Sequence, residues 1–437
     1  MQCSSARKGR SVDRVSTDRS LSFDSKATNG PCRSCGRPLA TILVDLGLSP
    51  ISNAFIRPEQ ALLSEKFYPL KTYVCEACWL VQLEDYEAPG THFHGNYMYF
   101  SSFSDTWLAH ARGFVEQAVQ RFALGPRSRV VEVASNDGYL LQYFVERGIP
   151  CVGVDPAMNC ALTAWHERRV PTEIAFFGAE TAGRLTAQGG AADLIIANNV
   201  LAHVPNINDF VAGFKILLKP EGIATFEFPH ILEMMRNSQF DTIYHEHYSY
   251  LSYIALAPLF ARHGLAIVDA DRLQTHGGSL RLYVRHSGAQ KMSESVSRLA
   301  SEEIRAGLDK AETYRTFGAH VRALKRSLLT LLIGLLNDGK RVAGYGAPAK
   351  GNTLLNYCGI GTDFLAFTAD RNPYKQGLLL PGTHIPIRPP EAIFEEKPDY
   401  VLILPWNLRD EIIAQLAGVR EWGGKFIVPI PQPAILD

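Results

Sequence analysis

The sequence predicts an α/β protein with two doubly wound sheets, because one local pattern occurs twice along its 437 residues. The apolar run Arg129–Val133 predicts a strand that leads into the small-residue turn 134–138 and then into a helix near Tyr139. A second short strand at 341–346 leads into the turn and helix start at 347–353. A strand, a tight turn and a helix N-terminus commonly begin a nucleotide- or nucleoside-binding sheet.

Composition and charge exclude several classes of function. Hydrophobic residues make up 46% of the chain, and 44 basic residues balance 44 acidic ones. This neutrality gives no electrostatic basis for binding nucleic acid or an anionic membrane. No apolar run approaches the ~20 residues that span a bilayer. We therefore expect a cytoplasmic protein, a monomer or small homo-oligomer, and we expect residues 1–28, which lack the apolar core of a secretory signal, to be a disordered extension.

Two Cys-x-x-Cys pairs, Cys32/Cys35 and Cys75/Cys78, predict a metal site near the start of the chain. Four thiolates form a complete tetrahedral set for Zn²⁺, although four ordinary reduced cysteines remain an alternative. Such a closed set leaves no open position for a substrate. The zinc ion would therefore be structural, stabilising a segment at 29–90 that is too small for a large core of its own.

The central part of the chain continues the α/β pattern. A helix is expected at 105–122, and the strand 151–154 ends on Asp155, whose carboxylate could bind ribose hydroxyls. The strand 193–197 ends at Asn198 and Asn199, shortly before His203. Alternation at 280–284 predicts a strand at the end of this sheet. Ligands of such sheets bind beyond the carboxyl ends of the strands.

Four residues able to share protons, Tyr244, His245, Glu246 and His247, follow a predicted strand that ends at Pro229. Histidine titrates near neutral pH, and a carboxylate can orient it, so the cluster predicts an acid/base site. If the backbone is extended, Tyr244 and Glu246 share one side and the two histidines the other. A metal site or a polar surface loop are the alternatives, although the spacing differs from the helical i, i+4 pair of zinc proteases.

These pieces resemble class I methyltransferases that use S-adenosylmethionine. The segment 132–138 stands where that fold has its glycine-rich first motif, and the segment 198–205 resembles the fourth-strand motif that lines the methyl-transfer cleft. Ala134 and Asn136 replace glycines of the commoner pattern, and the turn lacks Gly-x-Gly-x-x-Gly, which counts against NAD. The expected cofactor-binding residues are Glu132, Ala134, Asn136, Asp137, Gly138, Asp155, Asn198 and Asn199.

The order of four motifs is more specific. The cysteine pairs, the Ala-Ser-Asn-Asp-Gly turn, Tyr-His-Glu-His-Tyr and Gly-Tyr-Gly-Ala-Pro-Ala-Lys-Gly-Asn together resemble sugar C-methyltransferases that act on nucleotide-linked 4-keto deoxyhexoses. The resemblance implies a zinc-binding domain at 29–90, a class I methyltransferase domain at 91–290, and a helical linker with a Rossmann-like domain at 291–437. It also implies a deoxythymidine-diphosphate sugar bound between the central and C-terminal domains.

The resemblance and the residue types together suggest roles. His247 is the expected base, with Tyr244 and His203 as hydrogen-bond donors or proton partners and Glu246 as an orienting carboxylate. The expected substrate-binding residues are Tyr97, Tyr99, Gly346, Lys350 and Asn352. Three alternatives remain open: a nicotinamide-dependent nucleotide-sugar oxidoreductase or epimerase, an O- or N-methyltransferase of similar architecture, and a zinc-knuckle module that binds nucleic acid.

Overall fold

The computed structural model describes residues 30–86, 97 and 99–437. The expected extension at 1–28 and the end of the expected zinc-binding segment lie outside the described residues. The first part of the chain forms a small antiparallel sheet of three consecutive strands: β1 (Thr41–Ser49), β2 (Tyr68–Val74) and β3 (Val81–Leu83). A fourth strand, Ser249–Tyr250, pairs with β3 directly after the Tyr244–His247 cluster. This pairing ties the N-terminal segment to the predicted acid/base site.

The central part of the chain forms a seven-stranded sheet with helices on both faces, and it also contributes the strand Ser249–Tyr250 to the small N-terminal sheet. Its elements are α1 (Asp105–Arg121), β4 (Val130–Val133), α2 (Gln142–Val145), β5 (Cys151–Val154), α3 (Met158–Arg168), β6 (Thr172–Glu173), α4 (Ala179–Gly189), β7 (Ala192–Asn198), α5 (Ile207–Leu217), β8 (Leu218–Pro229), α6 (Ile231–Arg236), β9 (the strand Ser249–Tyr250), α7 (Tyr253–Arg262), β10 (Leu265–Leu273), β11 (Ser279–His286) and α8 (Glu294–Arg305).

The strand order is β10-β11-β8-β7-β4-β5-β6. Strand β11 is antiparallel to both neighbours, and the other neighbouring strands are parallel. The expected doubly wound sheet is therefore confirmed. Strand β11 is its last strand along the chain, but the edge position belongs to β10, because the β10–β11 hairpin folds back and places β11 against β8.

The C-terminal part forms a second sheet. Its elements are α9 (Ala311–Arg315), α10 (Phe317–Asn337), β12 (Val342–Tyr345), α11 (Ala349–Cys358), β13 (Thr368–Ala369), β14 (Ile387–Arg388), α12 (Glu391–Glu396), β15 (Tyr400–Ile403), α13 (Arg409–Gln415), β16 (Lys425–Val428) and β17 (Ala434–Leu436). The order is β14-β13-β12-β15-β16-β17, with only β17 antiparallel to its neighbour. The first five strands thus have the 3-2-1-4-5 order of a Rossmann sheet.

The helices between the two sheets divide their packing between two cores. Val296 and Leu299 of α8 pack into the core of the central sheet, whereas Val321 and Leu328 of α10 pack into the core of the C-terminal sheet. The helical connection expected from residue 291 onward therefore starts as part of the central unit. Among the described residues, we find no helix with the length and apolarity that crossing a membrane requires.

Candidate active site and zinc centre

The four paired cysteines come together as the sequence predicts. Their sulfur atoms all lie within 4.8 Å of one another, with Cys32 Sγ 3.6 Å from Cys78 Sγ and Cys35 Sγ 3.5 Å from Cys75 Sγ. Four sulfurs around a zinc ion at Zn–S distances of about 2.3 Å would be about 3.8 Å apart, so the donor set fits Zn²⁺. The Gln82 side chain donates a hydrogen bond to Cys32 Sγ at 3.1 Å, which suits a thiolate ligand.

Arg33, inside the first cysteine pair, connects the zinc centre to the rest of the site. Its guanidinium donates to the carbonyl oxygens of Pro205, at 2.9 Å, and Leu83, at 2.5 Å. It also lies 5.2 Å from the ring centroid of Tyr248, next to the acid/base cluster. The metal-binding segment therefore fixes the ends of the two segments that carry His203 and His247.

The turn after β4 keeps a left-handed backbone without the usual glycines. Ala134 and Asn136 have φ values of +58° and +49°, and Gly138 has +77°. The Asp155 carboxylate organises this turn, because one oxygen accepts the Asn136 N–H and the other accepts the Ala157 N–H, both at 2.8 Å. Burial raises the pKa of Asp155 to about 6, and the two N–H groups act in the opposite direction.

Buried polar atoms at this edge of the sheet fit S-adenosylmethionine. Asp137 Oδ1, Asn198 Oδ1 and Asn199 Oδ1 are buried and have no hydrogen-bond partner among the described residues. The amino, hydroxyl and adenine groups of the cofactor would supply such partners. Beneath the turn, burial raises the pKa of Glu132 well above its ordinary value, although the Tyr139 hydroxyl opposes the shift. The expected cofactor residues thus lie at the switch point between β4 and β7.

The expected alternation within the cluster is wrong, because the chain turns there. The His247 N–H donates to the Tyr244 carbonyl oxygen at 2.8 Å, which brings the two side chains to one side. The Tyr244 hydroxyl donates to His247 Nε2 at 2.6 Å, and His247 Nδ1–H donates to the Thr242 carbonyl oxygen at 2.8 Å. The His203 and His247 ring centroids are 4.6 Å apart. Tyr244, His203 and His247 therefore form one group.

Glu246 does not orient His247, contrary to expectation. The Thr242 carbonyl oxygen orients the ring, and Glu246 Oε1 instead accepts a hydrogen bond from Asn53 Nδ2 at 2.8 Å. Burial raises the pKa of Glu246 to about 7, opposed by Asn53 and by the charge of Lys375. His245 points away from this group, since its Nε2 donates to the Pro69 carbonyl oxygen at 3.2 Å.

The surroundings of His247 favour its neutral form. Burial lowers the pKa of His247 well below its ordinary value, and the charges of His203, Lys350 and His276 act in the same direction. With the Nδ1 proton held by Thr242, the unprotonated nitrogen is Nε2, which faces the Tyr244 hydroxyl. The geometry thus presents a neutral imidazole that can accept a proton.

Tyr97 and Tyr99 lie beside the turn after β4, at the edge of the sheet that holds the expected cofactor residues. The Tyr97 carbonyl oxygen accepts Asn159 Nδ2 at 2.8 Å, and the Tyr99 carbonyl oxygen accepts Asn136 Nδ2 at 3.1 Å. Burial raises the pKa of Tyr97 well above its ordinary value. The charges of nearby groups raise it further, namely those of Glu246, Tyr99, Tyr244 and Asp155. Tyr97 therefore lies between the turn that Asp155 organises and the acid/base cluster.

The glycine turn after β12 offers fewer ligand contacts than expected. The Gly346 N–H donates to the Ala369 carbonyl oxygen at 2.6 Å, and a Cβ at Gly346 would lie 2.5 Å from Pro405 Cδ. Packing therefore requires this glycine, and its backbone donor is not free for a diphosphate. Asn352, by contrast, is buried, and neither amide atom of its side chain has a hydrogen-bond partner among the described residues.

Lys350 lies where the two sheets meet. Its Nζ donates to Asn407 Oδ1 at 2.7 Å and lies 4.8 Å from the ring centroid of Trp406. The Trp406 indole in turn donates to Asp241 Oδ2 at 2.7 Å, across the boundary between the sheets. Asp241, Trp406 and Asn407 were not predicted from the sequence, although the last two lie in the segment after β15, at the switch point where such sheets bind ligands.

Comparisons with known proteins agree with this architecture. Family models described as a zinc binding domain, a methyltransferase domain and a C-methyltransferase C-terminal domain match residues 32–93, 107–270 and 274–431. The C-methyltransferase NovU of Streptomyces niveus is 38% identical over 407 residues, which cover 93% of this chain and 96% of NovU. The Ubiquinone biosynthesis O-methyltransferase of Bartonella bacilliformis is 25% identical over 134 residues, covering 30% of this chain and 54% of that protein.

Among solved structures, a SAM-dependent methyltransferase from Anabaena variabilis covers 40% of this chain and 84% of its own, at 14% identity and a TM-score of 0.34. The near full-length similarity to NovU and the three consecutive family models agree with the expected fold, cofactor and structural metal. The chain therefore belongs to the C-methyltransferase family, as a SAM-dependent enzyme with a class I methyltransferase core and a zinc-binding N-terminal domain.

Proposed function

We propose that the enzyme methylates the ring carbon next to the ketone of a deoxythymidine-diphosphate-linked 4-keto deoxysugar. The observation that carries the proposal is the group of His247, Tyr244 and His203, in which a neutral imidazole contacts the ring of His203, a residue that shortly follows the expected cofactor residues Asn198 and Asn199. A carbon acid next to a ketone needs a base of this kind, whereas an already ionised acceptor does not.

The residues divide the chemistry as follows. S-adenosylmethionine supplies an electrophilic methyl group, so the protein must generate and align a carbon nucleophile. Once the Tyr244 hydroxyl gives up its hydrogen bond to His247 Nε2, this nitrogen takes the proton from the carbon next to the ketone, and the Thr242 carbonyl oxygen stabilises the resulting imidazolium through Nδ1–H. Tyr244 and His203 hold the imidazole and exchange protons with it.

Lys350, Asn352 and the N-terminus of α11 are proposed to bind the nucleotide part of the substrate. The charge of Lys350 suits a diphosphate, and the unpartnered Asn352 amide suits a polar group such as a pyrimidine edge. The Lys350 ammonium also influences the pKa of both His247 and His276, so it is electrostatically coupled to the proposed reaction centre.

Mass spectrometry with methyl-labelled S-adenosylmethionine and a series of dTDP-sugars tests the proposal. A 4-keto deoxysugar should gain one labelled methyl group and lose the ring C–H, as read by NMR. The corresponding 4-hydroxy sugar, which lacks an acidic C–H, is the matched control and should remain unmodified. Label on oxygen with the ring C–H retained, or a nicotinamide cofactor that co-purifies with the protein, would contradict the proposal.

A further inference from the structure

The turn Thr275–Gly278 carries a strained histidine at the carboxyl edge of the central sheet. His276 has φ +53° and ψ +22°, the left-handed conformation that non-glycine residues rarely adopt. Gly277 and Gly278 follow with φ values of +86° and +118°. Such strain costs about 1–3 kcal/mol, persists only where the surroundings impose it, and clusters at functional sites.

Contacts from both sheets impose this conformation. On the central side, the Thr275 hydroxyl donates to the buried Glu227 carboxylate at 3.2 Å, and Gln239 Nε2 donates to the Gly277 carbonyl oxygen at 2.8 Å. On the C-terminal side, Trp406 packs so closely that a Cβ at Gly277 would lie 2.6 Å from its ring. The turn is therefore held at the boundary where Lys350 approaches the central sheet.

The imidazole of His276 is fixed in one tautomer. Its Nε2 accepts a hydrogen bond from Asn199 Nδ2 at 3.3 Å, in the orientation the amide has here, so the ring proton lies on Nδ1. Nδ1 has no hydrogen-bond partner among the described residues. Burial, with a contribution from the charge of Lys350, lowers the pKa of His276 to about 4. The ring is therefore a neutral donor with one unused N–H.

We propose that His276 is a further catalytic residue whose Nδ1–H donates to the ketone oxygen of the sugar. This assignment rests on the proposed function. When His247 Nε2 takes the proton from the neighbouring carbon, the C–H electron pair forms the carbon–carbon double bond of an enolate, and the carbonyl π pair moves onto the oxygen. His276 keeps its proton and stabilises that oxyanion. The carbon then bonds to the methyl group, and the sulfur leaves with the electron pair of the broken bond.

The electrostatic environment supports a division of labour between the two histidines. Asn199, which bonds His276, lies four residues before His203. The ring centroid of His203 is 4.6 Å from that of His247, so His247 and His276 flank the same end of β7. Their fixed protons differ: His247 presents an unprotonated nitrogen, whereas His276 presents an N–H. A base and an oxyanion donor require these opposite states.

The test uses the full-length variants His276→Gly and His276→Asn, since both residue types tolerate the left-handed backbone. The matched control is His384→Asn, which changes another left-handed histidine, at φ +55°, that pairs with Glu65. The readouts are methyl transfer to a dTDP-linked 4-keto deoxysugar, exchange of the proton next to its ketone in D₂O without methyl donor, and calorimetric binding of dTDP and S-adenosylhomocysteine.

His276→Gly should lose about 10²–10³-fold in methyl transfer and in donor-free exchange, the scale of one oxyanion donor. His276→Asn should lose less, because its amide N–H can take the place of Nδ1–H. Ligand affinities, the thermal midpoint and the acidic limb of the pH profile should remain those of the wild type, and the control should be unaffected. The proposal would be overturned if a folded His276→Gly protein exchanged the proton next to the ketone at the wild-type rate. Loss of the acidic limb of the pH–rate profile would also overturn it, since His276 would then be the base. A wild type inactive on every 4-keto sugar would instead overturn the proposed function.

Discussion

Replacing His247 with asparagine removes the proton-accepting nitrogen, Nε2, from the proposed reaction centre. The asparagine amide can occupy the place of Nδ1 and keep the hydrogen bond to the Thr242 carbonyl oxygen, which is 2.8 Å long in the wild type. Nothing replaces Nε2, which lies 2.6 Å from the Tyr244 hydroxyl. Loss of a general base should lower methyl transfer by about 10²–10⁴-fold, or about 3–5 kcal/mol in activation free energy.

The assay is solvent deuterium exchange next to the ketone with S-adenosylhomocysteine bound, run beside methyl transfer. Because the pKa of His247 is lowered, mainly by burial, the wild type should stay active well below pH 6.5, and its acidic limb should vanish in the variant. His245→Asn makes the same change two residues away on a ring that contacts Pro69 and should behave as the wild type. Exchange at the wild-type rate in His247→Asn would refute the assignment and shift the base role to Tyr244 or His203.

Three further predictions follow from the surrounding residues. Cys32→Ser should lose the zinc ion, as measured by metal analysis, and should have a lower thermal midpoint. Methyl transfer should also fall, because Arg33, next to Cys32, fixes Pro205 near His203. Full activity without zinc would contradict this coupling. Asp155→Asn should weaken S-adenosylmethionine binding about tenfold or more in calorimetry, since an amide cannot accept both N–H groups, while dTDP binding stays unchanged. Glu246→Gln should gain stability relative to the wild type as pH rises from about 4.5 to 7, by at most about 3 kcal/mol. The reason is that the native Glu246 carboxyl, with a pKa of about 7, binds more protons than the unfolded one, so the wild type loses stability over this range. A stability difference between the two proteins that stays constant with pH would contradict this.

The sequence predicted those parts of the fold that depend on local chemistry. Strand β4, its turn and strand β5 lie close to their expected bounds, because apolar runs flanked by small residues specify them. The cysteine pairs likewise specified a site whose four donors must meet. The edge position of β10 was not predictable in this way, since it depends on which partner the β10–β11 hairpin finds along β8.

The site was predicted less completely, for the same reason. The pairing of Tyr244 with His247 depends on a turn whose hydrogen bonds override the alternation expected of an extended chain. The roles of Trp406 and His276 depend on contacts between sheets that are distant in sequence. Local patterns therefore identified residue types able to do the chemistry, whereas their partners required the tertiary structure.

The glycine turn after β12 is built like the turn after β4, and its motif therefore says less about ligand binding than the sequence suggests. After β5, Asp155 accepts the N–H groups of Asn136 and Ala157; after β13, Asp370 accepts those of Ala347, at 2.6 Å, and Asn372, at 2.8 Å. In both sheets, an aspartate at the end of the second strand shapes the turn after the first strand.

This shared arrangement explains the turn motif in the C-terminal sheet by the needs of the fold, and no bound diphosphate is required to explain it. The Gly346 and Ala347 N–H groups serve the fold, and the proposed nucleotide contacts fall to side chains of the following helix, where Lys350 donates to Asn407 and the amide of Asn352 has no hydrogen-bond partner among the described residues. Because Trp406 contacts both Lys350 and the turn that holds His276, the proposed nucleotide site and the proposed reaction centre share one set of contacts.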